Sequence, residues 1–184
     1  IVNFRDKWVF FSHNGGLPEG TSYSRSVVAE PMEYNPDGTI KKINPSTEGM
    51  QFKEWSGNPI LPGMHADPEI LYSEKTGRYY IYSTTDGHPG WGGWYFTCFS
   101  SDNLVDWRDE GIILDECKDT KWASGNAWAP AIIEKKVDGQ YKYFFYYSGN
   151  AGNAKAIGVA VADSPTGTVK ASGRKCGSDR DKRG

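Results

Sequence analysis

Three times in this chain a basic residue leads into an aromatic-rich run that closes on serine. The runs are Lys7-Trp-Val-Phe-Phe-Ser12, Arg78-Tyr-Tyr-Ile-Tyr-Ser83 and Lys142-Tyr-Phe-Phe-Tyr-Tyr-Ser148. Aromatic and β-branched residues in short runs suit a pleated, half-buried surface. Each run follows a shorter apolar run and a turn signal, at Arg5-Asp6, Thr76-Gly77 and Asp138-Gly139. Asp-Gly between two apolar runs is a strong hairpin signal. A third strand is predicted after each hairpin, over 21–28, 94–100 and 156–162. The unit returns every 65 to 70 residues or so, roughly the behaviour of a repeat built from small antiparallel sheets. Repetition of that kind predicts an all-β fold of the β-propeller type. About three units are present where a closed propeller needs about four or more, so the propeller is predicted to be incomplete.

A second feature is chemical. Asn58-Pro-Ile-Leu-Pro-Gly-Met-His-Ala-Asp67-Pro-Glu-Ile-Leu-Tyr72 places one carboxylate, Asp67, at the head of an apolar strand between Ala66 and Pro68. Proline biases the residue before it toward extended geometry, which predicts an extended Asp67 whose carboxylate points in a defined direction. An Asp-Pro pair alone is common in turns; the surrounding motifs give this one its meaning.

Those motifs carry a resemblance to glycoside hydrolase family 43, five-bladed propeller enzymes that cut arabinose- and xylose-containing plant polysaccharides. The Asn58–Ile70 stretch resembles the family's opening segment, Asp102-Asn-Leu-Val-Asp-Trp107 resembles the turn that closes its first blade, and Asn126-Ala-Trp-Ala-Pro130 resembles the start of its second. Residues 1–43, with Ile1–Asn14, Thr21–Val27 and Glu33–Ile40, resemble the end of such a catalytic domain, although here they precede its beginning. Two readings fit that order: a junction between tandem modules, or one propeller rearranged by permutation. Residues 44–56 read as a linker, 57–169 as the family's first blades, and 170–184 as a disordered or non-native tail, because apolar periodicity stops there.

The resemblance implies an inverting glycosidase with Asp67 as general base. Such enzymes pair a base with a carboxylic acid roughly 6.5–9.5 Å away, leaving room for the attacking water. The family's acid and its pKa-tuning Asp find no match in this chain, so the chain alone is expected to turn over little. A non-catalytic carbohydrate-binding fragment is the rival reading. His65 and Trp128 are expected to line the sugar pocket, with Arg25 near it. Trp91, in the loop Gly87-His-Pro-Gly-Trp-Gly-Gly93, is expected to stack on a sugar face. His13 matches a family histidine near the propeller axis that contributes to a central ion site. No cofactor is expected to be required, a structural Ca at that axis being the one candidate.

Composition narrows the partners. A formal net charge of −2 gives no basic footprint for nucleic acid or an anionic membrane surface, and no apolar run approaches a membrane span. The expected partners are arabinan, arabinoxylan and xylo-oligosaccharides, met after secretion or in a periplasm rather than in the cytoplasm. The three cysteines, Cys98, Cys117 and Cys176, have no metal-binding spacing, and Cys98 is expected to behave as a small buried hydrophobe.

Overall fold

The computed structural model describes residues 1–50, 57–90 and 93–167. These form three antiparallel sheets and a single helical turn. The first sheet runs β1 (Val2–Phe4), β2 (Lys7–Asn14), β3 (Ser26–Met32). The second runs β4 (His65–Ser73), β5 (Arg78–Thr85), β6 (Tyr95–Ser101), β7 (Arg108–Asp115), and the third β8 (Trp128–Val137), β9 (Gln140–Ala151), β10 (Ala154–Ala162). The helical turn α1 (Glu116–Asp119) lies between β7 and β8 and is capped by the Asp115 carboxylate, which accepts from the Cys117 and Lys118 amides.

The hairpins form where the turn residues require them. Arg5 and Asp6 take φ of 49° and 60°, and Asp138 and Gly139 take 50° and 78°. Two consecutive residues at positive φ give the turn whose twist matches the flanking strands. The predicted first, second and third strands of every unit are present. The third strand of the first unit starts later than expected, at Ser26, because Thr21 and Ser24 bond to each other across a turn. The fourth strand of the second sheet, β7, was not foreseen.

Alternation along β5 places the second sheet between the other two. Tyr79 and Ile81, with Phe99 of β6, pack on Val9, Phe11 and Val27 of the first sheet. Tyr80 and Tyr82, with Phe96 and Cys98, pack on Ile132, Tyr143, Phe145 and Tyr147 of the third. Successive strand residues point to opposite faces, so one aromatic strand serves two cores. Phe96 is fully buried and meets Phe145 edge-on at 5.2 Å between ring centres, a geometry favoured by the ring quadrupoles. The far face of the third sheet is different: Ile133, Tyr146, Ile157, Val159 and Val161 are all exposed.

Residues 44–50 carry no strand but are fixed. The Ser46 amide donates to Glu30 at 2.7 Å, the Asn58 amide group donates to the same carboxylate at 2.9 Å, and Met50 is buried. Residues 51–56 of the expected linker and the expected tail 170–184 lie outside the described residues.

Candidate active site

Asp67 does not adopt the extended backbone predicted from Pro68. Its φ is 47°, in the small left-handed region that Asp tolerates better than most residues. The cause is a β-bulge: the register of β4 on β5 breaks between Ala66 and Glu69. A bulge puts an extra residue on one strand and re-aims its side chain. The freed main-chain N–H of Asp67 donates to His13 Nδ1 at 2.6 Å, across 54 residues of sequence.

The carboxylate is held on one side and open on the other. Thr84 Oγ1 donates to Asp67 Oδ2 at 2.8 Å, while Oδ1 lies 3.7 Å from His13 Nδ1. The Asp67 side chain is 31 % exposed, so water reaches it. Thr84 Oγ1 also accepts from the Ala129 amide at 2.8 Å. Ala129 repeats the Asp67 geometry on the neighbouring sheet: it precedes a proline, its φ is 51°, and the β8–β9 register breaks between Trp128 and Ala131. One hydroxyl thus ties together two bulges on adjacent sheets. Trp128, next to that bulge, is partly buried, and the Lys155 ammonium sits 4.8 Å from its ring centre.

Behind His13 lies an ion pair that the sequence reading missed. Arg25 Nε donates to Asp86 Oδ2 at 2.9 Å, its Nη2 faces Oδ1 at 3.4 Å, and the Arg25 amide donates to Oδ2 at 2.8 Å. The Asp86 side chain is only 3 % exposed, and this contact raises the Arg25 pKa. Arg25 Nη1 lies 3.4 Å from His13 Nε2. Burial holds the His13 pKa below its ordinary value; Asp67 opposes that shift and Arg25 reinforces it.

This arrangement does not fit an ion at His13. Nδ1 is occupied by the Asp67 amide, and a cation on Nε2 would stand beside the Arg25 guanidinium. Among the described residues no group of three or more His, Cys, Asp or Glu side chains converges on one point.

His65 is buried on the opposite face of the bulge from Thr84. Its Nδ1 pairs with Ser83 Oγ at 3.0 Å, and its ring meets Phe99 edge-on at 5.1 Å. Burial lowers its pKa. Trp91 lies outside the described residues. From the same loop, His88 packs on Trp94 at 5.2 Å, and with Thr84, Thr85, Asp86, Gly93, Asn126 and Ala127 it lines a narrow crevice with room for about one water molecule. The structure therefore gathers Asp67, His13 and Arg25 with the unforeseen Thr84 and Asp86. The signal for these two was the polar run Ser83-Thr84-Thr85-Asp86 ending a strand of buried aromatics.

Fold and site together define an all-β protein built around a fixed, water-accessible carboxylate. The chain belongs to glycosyl hydrolases family 43, whose profile matches residues 56–182. It is 32% identical over 119 residues to a β-D-galactofuranosidase of Aspergillus niger, covering 61% of this chain and 32% of that protein. It is also 32% identical over 132 residues to the arabinoxylan arabinofuranohydrolase of Bacillus subtilis, covering 61% and 25%. The chain thus spans a third or less of these curated relatives. A family 117 glycoside hydrolase from Zobellia galactanivorans shares the fold at a TM-score of 0.62 and 18% identity, over 90% of this chain and 51% of its own. That span reaches into residues 1–56 as well as the family 43 segment. No helix among the described residues is long and apolar enough to cross a membrane.

Proposed function

We propose that the chain is the base-bearing part of an inverting glycosidase acting on arabinose- or xylose-containing plant polysaccharides, with Asp67 as general base. The observation that carries this reading is the Asp67 carboxylate itself. One oxygen is fixed by Thr84, the residue is anchored through its amide, and the carboxylate remains open to water. A general base must be ionised, oriented and within reach of the water it activates. The Bacillus subtilis relative named for arabinoxylan supports the substrate class, and a plant-wall substrate suits an enzyme acting outside the cytoplasm. No cofactor is needed for this chemistry.

The three sheets read as consecutive blades of an incomplete five-bladed propeller. The exposed apolar face of the third sheet supports this, since it has the same alternation as the covered faces of the second. Residues 1–43 and 57–169 read as parts of one module rather than of two. The His65 amide donates to Arg25 O at 2.6 Å, the Gly87 amide to Tyr23 O, and His13 and Arg25 reach Asp67 and Asp86.

The test is hydrolysis of aryl arabinofuranosides and xylosides by two polypeptides, the 184-residue chain and a version extended by the family's remaining sheets. The short chain lacks a matched acid and should show negligible turnover, while the extended one should cleave one substrate. Binding of xylo-oligosaccharides without turnover by both would favour the carbohydrate-binding reading instead.

A further inference from the structure

We infer that Asp86 is a positioning residue for Asp67, acting by restraining Arg25 and so fixing the tautomer of His13. The inference rests on the reading of Asp67 as base only for its catalytic consequence. The geometry stands independently.

His13 sits between two donors. The Asp67 amide points at Nδ1 from 2.6 Å, and the Arg25 guanidinium presents Nη1 to Nε2 from 3.4 Å. Arginine has donors and no acceptor, and a neutral imidazole has one donor and one acceptor nitrogen. His13 can therefore accept from one of these neighbours and not from both. The distances identify which: 2.6 Å is a short hydrogen bond, and 3.4 Å is beyond the ordinary N–H range. Nδ1 is bare and Nε2 carries the proton. The charged groups facing the ring are Asp67 from β4, Arg25 ahead of β3 and Asp86 beyond β5.

Asp86 keeps Arg25 from taking the ring. Its buried carboxylate holds Nε and faces Nη2, and it accepts from the Arg25 amide as well. With that carboxylate neutralised, the guanidinium is free to close on Nε2, and the ring proton moves to Nδ1. An Nδ1–H cannot accept from the Asp67 amide. It would turn instead to Asp67 Oδ1, now 3.7 Å away. The bulge would lose its anchor, and the base would gain a donor that weakens its basicity.

This makes opposite predictions for two members of one ion pair. The short bond to Nδ1 should place the Asp67 amide resonance downfield in the parent; Asp86→Asn should move the His13 proton to Nδ1 and remove that shift. Arg25→Met takes away the competing donor, so the Nε2–H tautomer and the Asp67 shift should persist. The double variant should behave like Arg25→Met. The measurement is a long-range proton–nitrogen correlation spectrum of the histidine rings in the 184-residue chain, with the Asp67 amide followed alongside. A purely structural ion pair would give the same disturbance in both single variants, and that result, or an Nδ1–H tautomer in the parent, overturns the inference. If Asp86→Asn does not fold, Asp86→Ser takes its place with the same expected move to Nδ1–H, and an unchanged Nε2–H tautomer there, or its loss in Arg25→Met, contradicts the account. The spectrum does not depend on turnover, so a failure of Asp67 as base leaves this outcome separately readable.

Discussion

The Asp67 amide and the His13 ring meet at 2.6 Å although one belongs to the second sheet and the other to the first. That contact makes the left-handed backbone of Asp67 a fixed feature of the site, because the bulge frees an N–H that would otherwise lack a partner. This donor is only partly buried, so losing its partner costs about 1 kcal/mol, the low end for an unpaired group. The His13→Ala variant should therefore be less stable by about that amount, as read from chemical denaturation, and any activity of the extended protein should fall with it.

Thr84 links the bulges of Asp67 and Ala129 through one hydroxyl. Replacement by valine keeps the shape and removes both bonds. Thr84→Val should cost about 1–3 kcal/mol and reduce kcat more than KM, since it loosens the carboxylate and leaves the substrate contacts in place. A change in KM alone would contradict the role given to Thr84.

Ala129 holds φ of 51° without a side chain that compensates for it. A left-handed backbone costs a non-glycine residue roughly 1–2 kcal/mol, partly offset by the extra freedom glycine has when unfolded. Ala129→Gly should thus stabilise the protein by up to about 1 kcal/mol, visible as a rise in Tm. The same substitution at Asp67 should relieve less strain, because Asp tolerates this region better than Ala, and it removes the carboxylate.

Glu116 gives the fold a pH dependence. Its side chain is fully buried, neither oxygen makes a well-formed hydrogen bond among the described residues, and burial pushes its pKa up to about 8. Asp115 adds to the shift, while the Gly125 main chain and Lys155 oppose it. With the folded pKa above the unfolded value of 4.5, the native state keeps a proton that the unfolded chain loses. Stability from this group is complete below the unfolded pKa and declines as pH rises toward the folded one. Glu116→Gln should match the parent at acid pH and exceed it at pH 8 by an amount on the order of a few kcal/mol. Denaturation curves across that range check the crossing.

How much of this was legible depends on how local each signal is. The aromatic strands and their turns were read directly, because alternation and turn chemistry act within a few residues, as at Asp138-Gly139. Strand β7 was hidden by its charged start, Arg108-Asp-Glu, and by Gly111 at φ of 82° in a region of broken register. The Pro68 rule for Asp67 was a local rule overruled by pairing with β5. The polar run marks Asp86 but not what it binds: its partner Arg25 is 61 residues away, and nothing near Asp86 announces a cation. The site's carboxylate could be found from motif resemblance, whereas the network that fixes it required the sheets to be assembled.

The most direct test of Asp67 as base is the turnover of the extended protein beside its Asp67→Ala variant, with the native fold of both verified by circular dichroism. General-base assistance is worth about 10²–10⁴-fold, so kcat should fall by that factor while xylo-oligosaccharide binding is retained. Unchanged turnover in the variant would contradict the assignment, and so would robust hydrolysis by the 184-residue chain that survives the substitution.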